Sequence, residues 1–141
     1  MTRIKICGLT RPEDIDAVNR FMPDYIGFVF AESRRQVDDV RAKELRLRLA
    51  SGISAVGVFV NEDIGRIEKL CRAGVINLVQ LHGEEDEAYV RKLKQYISKP
   101  IIRAVRIKDE EEVNRDYRGE FEYLLFDTYH KDLYGGSGKS F

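Results

Sequence analysis

Short runs rich in Val, Ile and Phe recur along the chain at Ile4–Cys7, Tyr25–Phe30, Ala55–Val60, Leu78–Leu81, Ile101–Val105 and Tyr123–Phe126. Runs of this length and composition predict six β-strands, near 3–7, 25–30, 54–60, 77–81, 100–105 and 122–127. Between them apolar residues repeat at helical spacing. Helices are predicted over Pro12 to Phe21, over Asp39 to Ala50 with Val40, Leu45 and Leu49 apolar, over Asp63 to Ala73 with Ile64, Ile67 and Leu70, and over Glu85 to Ile97 with Val90, Leu93 and Ile97. Asp109 to Arg115 predicts a shorter fifth helix. Strands that alternate with helices must run parallel and be joined by right-handed crossovers, with helices covering the sheet. The fold class is therefore α/β, and with no linker in the pattern residues 1–141 are expected to form a single domain.

Two architectures compete for that pattern. Strand starts at 4, 25, 55, 78, 101 and 123 repeat about every 24 residues, so a closed eight-unit barrel would need roughly 190 residues against the 141 present. Length alone favours an open, doubly wound sheet. Polar residues on the strands favour the barrel instead: Lys5, Gln80, His82, Arg103 and Asp127 are expected on one alternation set, where a sheet buried on both faces would read as unbroken apolar runs.

Composition narrows the partners. With 24 basic and 24 acidic residues, net charge offers no case for nucleic acid. The longest apolar runs, Ile26 to Ala31 and Ala55 to Val60, are too short to span a bilayer, and the start of the chain lacks a signal-peptide core, so no membrane association and a cytoplasmic location are expected. The two cysteines lack metal-ligand spacing. Cys71 falls on the apolar stripe that begins at Ile64 and reads as core.

Candidate chemistry gathers at the carboxyl ends of the predicted strands. Arg3, Lys5 and Cys7 share one strand face, so the thiol ends the first strand beside an inward lysine. Gly8 then permits a sharp turn, and Thr10-Arg-Pro-Glu13 reads as a capping box with Thr10 as N-cap. On its own Cys7 would read as a small buried hydrophobe. After the second strand, Ser33-Arg34-Arg35 offers guanidiniums that could grip a carboxylate or phosphate. Asn61-Glu-Asp63 needs only helix capping to explain it. Gln80 and His82 share a face after the fourth strand, with Gly83 permitting the turn. Asp127 ends the sixth strand, where a buried carboxyl must be paired or stay protonated, the latter being what a general acid requires. Gly135-Gly136-Ser137-Gly138-Lys139 could hold a phosphate through free amides, although Leu133 stands where a Walker A loop needs glycine.

Lys5-Ile-Cys-Gly-Leu-Thr10, Gly27-Phe-Val-Phe30 with Ser33-x-Arg35-x-Val37, Val56-Gly-Val-Phe-Val60, Val79-Gln-Leu-His-Gly83 and Leu125-Phe-Asp-Thr128 before the glycine-rich segment occur in the order and spacing of one family. Together they resemble the phosphoribosylanthranilate isomerases of tryptophan biosynthesis, which use no cofactor and act on a small phosphorylated substrate. The resemblance implies an eight-stranded βα barrel of the TIM-barrel type, overruling the length argument. It implies Cys7 as general base, Asp127 as general acid and Arg35 against the anthranilate end of the substrate. Gly135, Gly136 and Gly138 would begin the phosphate site, and Gln80 and His82 would line the rim without an assigned role. Lys5 is a candidate for favouring the Cys7 thiolate.

The family continues through a seventh and an eighth strand, whereas only the first six βα units are read here. The resemblance therefore implies a fragment, or a chain completed by another. Residues 1–141 alone are expected to lack turnover and to self-associate through unpaired strand edges. A non-catalytic, anion-binding module is the alternative reading.

Overall fold

A computed structural model describes residues 1–128. In chain order these form β1 (Lys5–Cys7), α1 (Pro12–Phe21), β2 (Tyr25–Val29), α2 (Asp39–Arg48), β3 (Ser54–Phe59), α3 (Ile64–Arg72), β4 (Leu78–Leu81), α4 (Glu87–Lys94), β5 (Ile101–Ile107), α5 (Glu110–Asn114) and β6 (Tyr123–Thr128). All the predicted strands and helices form, with ends shifted by a few residues. The largest shift ends α4 at Lys94 rather than Ile97, and β5 extends through Ile107.

The strands make one parallel sheet in the order β1-β2-β3-β4-β5-β6. Sequential order is incompatible with the doubly wound sheet that length favoured, because in that fold the order reverses and helices lie on both faces. Here one face takes the helices. Ile26, Phe28, Ala55, Phe59, Val79, Leu81 and Ile101 pack in the main core with Ile15 and Val18 of α1, Leu45 of α2, Ile67, Leu70 and Cys71 of α3, and Val90 and Leu93 of α4. Fully burying each such Leu, Ile or Phe is worth about 1.5–3 kcal/mol, which makes this layer the main source of stability. The opposite face holds a thin layer of Val56, Leu78 and Ile102, flanked by Tyr25 and Leu125. Above that layer the same face turns polar.

Register decides which residues share that second face. Lys5 pairs with Tyr25, Cys7 with Gly27, Gln80 with Ile102 and Arg106 with Asp127, so Lys5, Cys7, Gln80 and Asp127 lie together as expected. Arg103 does not: it pairs with Leu81, a residue of the helix-side core, and Arg106 occupies the polar face instead. The alternation of β5 starts from Ile102 on the inner face, which places 104 and 106 inward and 103 outward.

The helices differ from expectation in two details. Val40 is exposed and off the buried stripe of α2, which runs through Ala42, Leu45 and Leu49. Five positions from Leu45, Val40 is rotated away from it by about 140°. The N-cap of α1 is Arg11 rather than Thr10, because Pro12, with its preset φ and no N–H, occupies the first helical position. Asp14, not Glu13, completes the cap: its Oδ2 accepts the N–H groups of Thr10 and Arg11, both at 3.0 Å. Aspartates cap the next four helices too, at Asp38, Asp63, Asp86 and Asp109.

Asp14 ties the loop that follows Cys7 to the start of α1, and the side chain of Arg11, followed by the two backbone N–H groups, holds its carboxyl below the usual carboxylate range. A carboxyl depressed in the folded state stabilises above its unfolded pKa and loses that contribution as pH falls through the folded value. Asp14→Ala is expected to cost about 1 kcal/mol at neutral pH, the usual worth of a helix cap. Urea unfolding across pH should show the gap between wild type and variant closing in acid.

Candidate active site

The polar end of the inner sheet face carries one continuous hydrogen-bond chain. Lys5 Nζ donates to Gln80 Oε1 at 2.7 Å, Gln80 Nε2 lies 2.8 Å from His82 Nδ1, and His82 Nε2 lies 3.0 Å from Asp127 Oδ2. The other carboxylate oxygen, Oδ1, accepts the Thr128 N–H at 2.9 Å. Three strands are joined in this way through residues 75 and 45 positions apart in sequence. Gln80 and His82 are buried, and the Asp127 side chain keeps 23% exposure, enough to reach a ligand from above. Lys5, the candidate for favouring the thiolate, is directed at Gln80.

Cys7 sits two residues beyond Lys5 on the same face, half-buried, and the structure gives the reason for two neighbouring glycines. A Cβ on Gly27 would stand 2.5 Å from Cys7 Sγ, so the thiol rests on the bare backbone of β2. Gly8 combines φ +88° with a close approach, since a Cβ there would meet Arg35 Cδ and Nη1 at 2.7 Å. Arg35 therefore lies across the turn after β1, with Nη1 donating to the Cys7 carbonyl at 3.0 Å. Ser33 does not add to an anion grip: its Oγ accepts the Arg35 N–H at 3.1 Å and shapes the loop. The cleft of about 450 Å³ beside Cys7 and Arg35 is walled by Ile6, Val18 and Phe21, which puts it on the helix side of β1 rather than over Asp127.

The rim is braced by residues that the sequence offered no reason to choose. Glu85 accepts the N–H of Asn61 through Oε1 at 2.7 Å and that of Gly83 through Oε2 at 2.8 Å, while Asn61 Oδ1 accepts the Glu84 N–H at 2.8 Å. Asn61 adopts φ +51° to do so, a conformation asparagine tolerates better than most residues. Gly83 is needed for proximity rather than for the turn, since its Cβ would fall 2.6 Å from Asn61 Oδ1. Asn61 is thus a brace, and the cap of α3 is Asp63, whose Oδ1 accepts the Gly65 N–H. An asparagine just after a predicted strand, a residue type that tolerates positive φ, is the one signal the sequence holds.

Lys5, Cys7, Arg35, Gln80, His82 and Asp127 therefore meet at one end of the sheet. Gly135, Gly136 and Gly138, with the phosphate-holding reading placed on them, lie outside the described residues. Cys71 is core as expected, and burial pushes its thiol up to about 11. Among the described residues no cluster of His, Cys, Asp and Glu could hold a metal ion, and no helix is long and apolar enough to cross a membrane.

Residues 4–141 match the family described as N-(5'phosphoribosyl)anthranilate (PRA) isomerase. The N-(5'-phosphoribosyl)anthranilate isomerase of Lachnoclostridium phytofermentans is 48% identical over 139 residues, 99% of this chain and 64% of its own length. The phosphoribosyl anthranilate isomerase of Thermotoga maritima superposes with a TM-score of 0.82 at 38% identity, over 100% of this chain and 68% of its own. A phosphoribosyl anthranilate isomerase in complex with reduced 1-(o-carboxyphenylamino)-1-deoxyribulose 5-phosphate superposes with a TM-score of 0.77 at 36% identity, over 92% of this chain and 66% of its own. The six parallel strands are thus part of a TIM-barrel-type α/β fold, and the chain belongs to the phosphoribosylanthranilate isomerase family.

Proposed function

We propose that this chain carries the acid–base pair of a phosphoribosylanthranilate isomerase, with Asp127 as general acid and Cys7 as general base on N-(5'-phosphoribosyl)anthranilate. The observation that carries the reading is the placing of a partly open carboxyl and a thiol on one polar sheet face, with a guanidinium beside the thiol. The reaction is an Amadori rearrangement. Asp127 gives its proton to the ribose ring oxygen, the C1–O bond breaks, and the anilino nitrogen lone pair forms an iminium ion. The C2–H is then acidic because the iminium can accept its electron pair. Cys7 as thiolate removes that proton, leaving an enolamine that tautomerises to the amino-ketose. The substrate is its own electron sink, so acid and base suffice for the chemistry.

Arg35 supports the same reading. Its Nη1 is spent on the Cys7 carbonyl, its one side-chain hydrogen bond among the described residues. The Nε–Nη2 edge is left for a bidentate grip on the anthranilate carboxylate. A substrate so held would bring its sugar carbons over the thiol. A phosphate grip by the segment holding Gly135, Gly136 and Gly138 belongs to the same proposal, because binding energy from a remote group can hold the ribose in place.

With the family's C-terminal quarter supplied, Cys7→Ala should lose about 10²-fold to 10⁴-fold in kcat, the worth of a general base, with KM little changed. Full turnover by that variant would end the assignment. Asp127→Asn should lose a similar factor on the cyclic substrate and be spared on one already ring-opened; equal losses on both would remove Asp127 from the acid's role.

Gly27→Ala tests the seat of the thiol separately. The added methyl occupies the space of Cys7 Sγ, so kcat should fall by more than tenfold, while overpacking costs about 1–3 kcal/mol of stability. Steady-state kinetics paired with urea unfolding would separate the two effects, and normal turnover would show that the thiol's seat does not matter.

A further inference from the structure

The chain from Lys5 to Asp127 leaves no freedom in the direction of its hydrogen bonds, and that sets the state of His82. The Lys5 ammonium can only donate, so the Gln80 atom 2.7 Å away is the carbonyl oxygen Oε1. The Gln80 amide nitrogen then faces His82, and because an amide nitrogen can only donate, His82 Nδ1 must accept. An imidazole whose Nδ1 accepts carries its proton on Nε2, the atom 3.0 Å from Asp127 Oδ2. We propose that Lys5 and Gln80 are positioning residues that lock His82 as the neutral Nε2–H tautomer, so that it donates to Asp127 and cannot accept from it.

The lock matters because Asp127 has two possible destinations for its proton. With the opposite tautomer, a bare Nε2 lone pair would face the carboxyl and take the proton before the sugar could. With Nε2–H in place, that route is closed. The His82 N–H and the Thr128 N–H instead meet the negative charge that develops on the two Asp127 oxygens as the proton leaves for the ring oxygen. His82 gives up no proton itself; it stabilises the carboxylate left behind. This role rests on the isomerase reading above, whereas the tautomer rests on hydrogen-bond direction alone.

Long-range ¹H–¹⁵N correlation spectra of the protein would read the tautomer directly, with two histidines in the chain to assign. The expected wild-type spectrum has His82 protonated at Nε2 and bare at Nδ1. Gln80→Glu keeps the shape and the contact with Lys5 but turns the donor into an acceptor, so Nδ1 should become protonated. In that variant kcat should fall about tenfold to a hundredfold, the usual worth of a group that orients a functional imidazole, with KM within about threefold. Should Gln80→Glu fail to fold, Lys5→Met frees the Gln80 amide to rotate, and part of the His82 population should then show a protonated Nδ1. A wild-type His82 protonated at Nδ1 would overturn the lock. So would a folded Gln80→Glu protein with a protonated Nδ1 and unchanged kcat. Absence of turnover in the wild-type sequence supplied with the family's C-terminal quarter would count against the isomerase reading, and the lock would still stand or fall on the spectrum.

Discussion

The structure depends on one constraint: six parallel strands joined in chain order have all their helices on one side, so the two faces of the sheet answer to different solvents. The helix side carries Phe28, Phe59, Ile26 and their neighbours and supplies the hydrophobic stabilisation. The inner side needs only Val56, Leu78 and Ile102 to close its middle, which leaves its upper end free for charged and polar groups. Period-two alternation then turns a sequence into a site. Lys5 and Gln80 fall inward because the apolar residues on either side of each fall outward, and Asp127 falls inward because Phe126 falls outward.

At that upper end, small residues have as much influence as reactive ones. Gly27 offers the thiol a backbone to rest on, Gly8 lets Arg35 cross the strand end, and Gly83 admits Asn61. Each absence of a Cβ is occupied by a neighbouring functional or bracing side chain. A reading that attends only to acids, bases and cations misses this negative space, which sets where those groups can stand.

The strands and helices were legible because their signals are local: β-branched runs for the strands and i, i+3, i+4 stripes for the helices. Length misled, since sheet order depends on how units stack and not on how many residues are present. Errors in face assignment have equally plain causes. Arg103 reads as inward because it is polar, although register sets it beside Leu81 of the helix-side core, and Val40 reads as part of the helical stripe because it is apolar, although it lies off it. In the candidate site, the placing of Cys7, Arg35 and Asp127 at the carboxyl end of the sheet was legible through their motifs. The link from Lys5 through Gln80 to His82 was not, because its partners are far apart in sequence and their meeting depends on strand register.

The Glu85 brace has a mechanical meaning. One carboxylate clasps a backbone N–H from the loop after β3 and another from the loop after β4, and Asn61 returns the clasp to Glu84. Two loops fastened at three points cannot fray independently, so local opening of either must carry the other with it as one cooperative unit. His82 is attached at the base of that unit, through its N–H to the Phe59 carbonyl of β3 at 2.9 Å. The backbone that carries the imidazole is therefore anchored to β3 directly beneath the clasped loops, and it shares their fastening.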